Sequence, residues 1–268
     1  MMENVDRHVL AGFCFVDAIT SSSVVAPLSV TAGRLGLHRN MSGIFAVMDA
    51  PGVDRNKTQL LIPDPAKWPA PSGFEITIQD PSLRYLSRRA TIQVPQPLPP
   101  IVNAGSPAPP TSTTAAGASA PVPPLTTPQQ VVLYPSPAAT LALHWAVVRA
   151  SVVNADAPGQ VLAGAVVQVA TDKKIATGVA NAKGETLLAV PGLGLQLSSN
   201  GSGSVIEKTT AATVNAWFDP GLIDKPANYI TDPDDILKHL TSMKAATPQT
   251  LQLAPGQTLF VTIAISLK

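Results

Sequence analysis

The chain holds one cysteine, Cys14, so no internal disulfide can brace it. That residue sits in the apolar run Leu10-Ala11-Gly12-Phe13-Cys14-Phe15-Val16, with neither the base nor the electropositive setting that would activate a thiol, and reads as a buried core side chain. Aromatic residues make up only 4% of the chain, which argues against a sugar-stacking surface. Charged residues make up 13%, well below the usual share of a soluble chain, and hint at surface covered by a partner. Eighteen basic and 17 acidic side chains give a net charge of +1, so there is no basic excess to recruit nucleic acid. No run approaches the roughly 20 apolar residues of a membrane helix. The apolar stretch near Phe13 is too short for a secretory signal, and Asp6 and Asp17 flank it. The expectation is cytoplasmic synthesis without a signal peptide, compatible with later incorporation into an exported particle.

Chemistry is equally sparse. The histidines His8, His38, His144 and His239 are scattered without ligand spacing, so no metal site is expected. Asp232-Pro233-Asp234-Asp235 is acidic, but a calcium loop counted from Asp232 would meet Leu237 and Met243 where Gly and Glu belong. Asn200-Gly201-Ser202-Gly203-Ser204 lacks the lysine of a phosphate cradle and reads as a loop. No nucleophile motif occurs. No catalytic, cofactor-binding or metal-binding residue is assigned, and the expectation is a protein that is not an enzyme.

What is present is proline and alternation. From Pro95 to Pro128 the chain is almost entirely Pro, Ala, Ser, Thr and Val, a composition with few donors and little to bury. Either side of it, apolar residues recur with period two. Phe74-Glu75-Ile76-Thr77-Ile78 and Ala90-Thr91-Ile92-Gln93-Val94 alternate, and Leu259, Val261, Ile263, Ile265 and Leu267 share one face. Asp49-Ala50-Pro51-Gly52, Ala182-Lys183-Gly184 and Ala254-Pro255-Gly256-Gln257 read as turns. One helix is expected after Asp232: this residue caps it, Pro233 suits the first turn, and Asp234 and Asp235 complement the positive helix end. The two halves also echo one another. Phe15-Val16-Asp17-Ala18 parallels Val152-Val153-Asn154-Ala155, and a strand ending in Asp80-Pro81 parallels one ending in Asp219-Pro220.

The stretch Val161-Leu162-Ala163-Gly164-Ala165-Val166-Val167-Gln168-Val169, followed by Ala176-Thr177-Gly178-Val179-Ala180-Asn181-Ala182-Lys183-Gly184-Glu185, resembles the carboxypeptidase regulatory-like domains. The likeness spans roughly 145–268 and, more faintly, 8–97. It implies a transthyretin-like seven-stranded sandwich with an accessory role, of a kind also found with phage-tail-like contractile particles. The signatures of enzymes on that scaffold are missing. Self-crosslinking pilin sandwiches are also poorly matched, since the first strand after the proline-rich stretch carries Arg149 where a lysine is needed.

The expected architecture is therefore all-β: two Ig-like or transthyretin-like antiparallel sandwiches with one short helix in the second. Residues 1–97 form the first sandwich, open to completion by a strand at 130–135. Residues 98–130 are a linker or a loop insertion, and residues 131–268 form the second sandwich. Interface candidates are Arg34 and Arg39, the cluster Arg84, Tyr85, Arg88 and Arg89, and the tryptophans Trp68 and Trp217. The expected partners are other proteins of an assembly, or the chain itself. A glycan- or peptide-binding module is the alternative.

Overall fold

The structure is a computed structural model; it describes residues 9–53, 70–95, 127–193, 209–226 and 229–268. Trp68, His8, the glycine-rich stretch at 200–204 and most of the proline-rich stretch lie outside the described residues. Among the described residues the fold is all-β with one short α-helix. The N-terminal strands are β1 (Ala11–Asp17), β2 (Ser29–Thr31), β3 (Gly36–Arg39), β4 (Phe45–Asp49), β5 (Ser72–Gln79), β6 (Arg88–Val94) and β7 (Gln129–Leu133). They form two sheets, in the orders β3-β4-β1-β7 and β2-β5-β6. Because β7 stands beside β1, the proline-rich stretch lies between two strands of the N-terminal set.

The C-terminal strands are β8 (Ala146–Asn154), β9 (Val166–Ala170), β10 (Ile175–Val179), β11 (Glu185–Val190), β12 (Thr210–Phe218), β13 (Lys244–Ala245), β14 (Gln249–Leu253) and β15 (Thr258–Ile265). One sheet runs β11-β8-β15, and the other runs β10-β9-β12 with β13 and β14 both on β12. Their inner faces share one apolar core. It takes Val148, Ala150 and Val152 from β8, Leu188 and Val190 from β11, and Ile263 and Ile265 from β15. The opposite sheet gives Val167 and Val169 from β9 and Val214, Ala216 and Phe218 from β12. The expected apolar face of the last strand is thus the one that is buried.

Echoes in sequence persist in the backbone. Asp17 and Asn154 end β1 and β8, and each accepts a hydrogen bond from the amide two residues on. The amides of Ala18 and Ala155 then donate to Leu133 and Ile265, on β7 and β15. Asp80 and Asp219 make the same turn: each side chain accepts from the amide two residues on, and each carbonyl from the amide three on. The halves differ in that β3 pairs with β4, whereas β10 pairs with β9.

The helix α1 (Pro233–Lys238) sits between β12 and β13, capped by Asp232, whose carboxylate accepts from the Asp234 amide at 3.0 Å. Ile236 packs with Val166, Val179 and Tyr134. Two compact units emerge from the described residues. One comprises those within 1–14, 32–74 and 91–130, and the other those within 15–31, 75–90 and 131–268. In the first unit the Phe13 and Phe45 rings stack with centroids 5.2 Å apart.

Candidate functional site

Within the second unit, strand and helix residues far apart in sequence converge on Arg88. Its side chain is 2% exposed. The guanidinium donates to the Val132 carbonyl, to Asp232 at 3.0 Å and to Asp234 at 2.7 Å, while Nε donates to the Arg89 carbonyl at 3.0 Å. The guanidinium also lies 5.8 Å from the centre of the Tyr134 ring. Burial pushes the Asp232 carboxyl up from its ordinary value, against the pull of Arg88. The Tyr134 hydroxyl is pushed up to about 12 by burial and by the negative charge of Asp234. The helix cap is thus also the counter-ion of a buried arginine, and Arg88 is a structural side chain with four of its five donors engaged.

Its neighbours divide between core and surface. Tyr85 is 5% exposed and donates to Asp17 at 2.7 Å. Burial raises Asp17, but hydrogen bonds from the Thr20 amide, the Tyr85 hydroxyl and the Ile19 amide outweigh it and hold the carboxyl below its ordinary value. Arg84 is exposed, with its guanidinium 5.4 Å above the Tyr85 ring. Arg89 alternates with Arg88 along β6, lies 4.8 Å from the centre of the Tyr229 ring and pairs with Glu75 at 3.4 Å. In the first unit Arg34 is exposed, and Arg39 lies 5.5 Å from the centre of the Phe45 ring. Trp217 is half-buried on the side of β12 away from the sandwich core, opposite Ala245 and Val166.

Two clefts open in the second unit. One, of about 430 Å³, is lined by Ser87, Gln160, Asn181, Lys225, Tyr229 and Thr231 among others. Gly164 forms part of its wall at φ +83°, where a Cβ would approach Thr231 Cγ2 to 2.8 Å. The other, of about 650 Å³, lies over the outer face of β8, β11 and β15 and is lined by Arg149, Lys183, Glu185, Phe260 and Thr262 among others. Arg149 is already engaged, donating to the Pro137 carbonyl at 2.6 Å. Phe260 is 78% exposed, and Leu143, close to the start of β15, is 93% exposed. Neither was singled out from sequence, although the signal is there. Phe260 is the aromatic on the even-numbered, solvent-facing positions of a strand whose odd-numbered positions carry the apolar face.

Among the described residues no group of three or more His, Cys, Asp or Glu is placed to hold a metal ion. No described helix is long and apolar enough to cross a membrane. Burial raises the Cys14 thiol above its ordinary value, which favours the unreactive protonated form. What the second unit offers is concave surface at the two clefts and exposed apolar side chains at Phe260 and Leu143.

No family model matches the chain. No curated protein matches it either. Among solved structures, the Bacillus anthracis TIE protein aligns over 89% of this chain and 34% of its own, at 10% identity and a TM-score of 0.24. This chain therefore spans about a third of that structure. A mutant of the shaft pilin SpaA from Lactobacillus rhamnosus GG aligns over 74% of this chain and 68% of its own, at 12% identity and a TM-score of 0.19.

Proposed function

We propose that this chain is a non-enzymatic structural and interaction protein, an accessory component of a larger assembly of which a phage-tail-like contractile particle is the preferred instance. Its carboxypeptidase regulatory-like resemblance belongs to the same proposal. One observation carries the reading: Phe260 and Leu143 expose 78% and 93% of their surface at one side of the second sandwich. Phe260 stands on β15 and Leu143 in the turn before β8, and large apolar groups held in water near one another are a feature of surfaces that take a protein partner. Low overall charge supports the same view, since the cores of protein interfaces are depleted in charge. The test is mass spectrometry of what co-purifies with the tagged chain at native expression. Recovery of sheath-, tube- or baseplate-like proteins in fixed proportion is expected. Recovery of the chain alone, as a monomer, would overturn the reading.

A second reading, a glycan- or peptide-binding module, is favoured by the cleft of about 430 Å³, where Tyr229 stands with the polar side chains of Gln160, Asn181 and Thr231. Retention on polysaccharide or peptide columns, abolished by Tyr229→Ala, would support it. Unretarded passage would remove it.

A further inference from the structure

We infer that β15 is a self-pairing edge, through which two copies of this chain join antiparallel about a twofold axis at Val261. The inference rests on the assembly reading above and names one partner for that side of the sandwich.

The argument begins with the strand's two neighbours. On one side β15 runs parallel to β8 over its whole length, from Thr258 opposite Val147 to Ile265 opposite Asn154. On the other side no strand pairs with it among the described residues. The bonds at the two ends fix which backbone groups face which way: the amides of Val147 and Ala155 donate to the carbonyls of Gln257 and Ile265. Odd-numbered residues therefore turn their polar backbone groups towards β8. The intervening residues Thr258, Phe260, Thr262 and Ala264 turn theirs away. Of these groups, the Thr262 carbonyl meets the Gln249 side-chain amide at 3.3 Å, which leaves one of its lone pairs for another donor.

Edge strands normally carry a device against pairing: a lysine, a proline, a bulge, or a short length. β15 has eight residues, Thr-Leu-Phe-Val-Thr-Ile-Ala-Ile, with no charge, no proline and no glycine, and keeps unbroken register with β8. The absence of charge admits the strand's own copy as the occupant. A twofold operation sets each strand against its own sequence, so any charge near the axis would meet its own sign. None is there to do so. With the axis at Val261, Phe260 of one copy faces Thr262 of the other, and Thr258 faces Ala264. Each pair exchanges amide and carbonyl bonds, and the exposed ring packs over a small β-branched neighbour.

The test uses the purified full chain in analytical ultracentrifugation over a dilution series, with amide exchange read at β15. A monomer–dimer equilibrium is expected, with the amides of Phe260 and Thr262 protected when concentrated and freely exchanging when dilute. Thr262→Lys sets two cations near the axis on an exposed position and should raise the dissociation constant by roughly tenfold or more. Thr250→Lys, which adds the same charge on β14 of the opposite sheet, should leave it unchanged. A chain that stays monomeric throughout overturns the inference, as does a dimer indifferent to Thr262→Lys whose β15 amides exchange alike at every concentration. If that monomer still co-purifies with assembly proteins from its own cell, self-pairing fails and the assembly reading stands. If it co-purifies with nothing, both fail.

Discussion

Arg88 ties β6, β7 and the start of α1 together within the second unit, and its replacement should be correspondingly costly. Arg88→Met keeps the length of the stem but leaves the Val132 carbonyl and two carboxylates without their cation. The expected loss is about 2–4 kcal/mol, below the full cost of breaking a buried pair because Asp234 keeps 39% of its side chain in water. Urea unfolding measures it directly, and a loss within 0.5 kcal/mol, as for an ordinary surface position, would contradict the account. Asp17 carries a pH signature. Its folded carboxyl lies below the ordinary value of 3.8, so its contribution is complete above that pH and is lost as pH falls through the folded value. Tyr85→Phe removes one of the bonds that lower it. The variant should be less stable near neutral pH by about 1–3 kcal/mol, and its acid unfolding should begin at higher pH. Asp232 runs in the opposite sense, because burial raises it: its ionisation weighs against folding as pH rises above 3.8. Of this network the sequence made only the cap legible, since a cap is a local pattern. Arg88 lies 144 residues from Asp232, and no spacing rule joins them. For the same reason Arg88 looked like part of an exposed basic cluster until its partners were in view.

At the scale of elements, alternation and turn chemistry did most of the specifying. Period two correctly assigned the buried faces of β5, β6 and β15. Gly52, Gly184 and Gly256 mark turns because each has φ above +70°. Gly184 is the most constrained of the three. At φ +73°, a Cβ there would sit 2.7 Å from the Val152 carbonyl oxygen and 2.9 Å from Val161 Cβ. Gly184→Ala should therefore cost more than the roughly 1 kcal/mol of a strained dihedral alone, and thermal unfolding should show it. Gly52→Ala, with nothing within 4 Å of the added carbon, should cost only the dihedral term. Pairing was less legible than strand identity. β3 joins β4 and β10 joins β9, each across a short turn, and the alternation that marks these strands does not say which neighbour each takes. The exposed side of β15 is hard to read in the sequence, because the apolar face has a regular period and a single aromatic on the other face has none.

At the scale of the whole molecule, composition and contacts divide the chain differently. Composition changes sharply around the proline-rich stretch, yet the compact unit holding the C-terminal sandwich also includes residues 15–31 and 75–90. Composition reports where the chain cannot pack, and contacts report where it does, and the two need not divide a chain alike. A fragment of residues 131–268 lacks Arg88, Tyr85 and Leu86, so α1 loses its buried counter-ion and part of its apolar seat. Exchange of the amides of Asp234, Ile236 and His239 should be markedly faster in that fragment than in the full chain, and equal protection in both would contradict the account. At this scale the proposal is that the chain works as a component of an assembly, which it enters as a pair of copies joined through the exposed side of β15. The most direct test is quantitative mass spectrometry of proteins co-purifying with the tagged full chain from its own cell, run in parallel with Phe260→Asp. The account predicts a fixed set of structural proteins with the wild type and their loss with a variant that remains folded. Recovery of the same set with both would place the contact elsewhere, and recovery of the chain alone in both would contradict the claim.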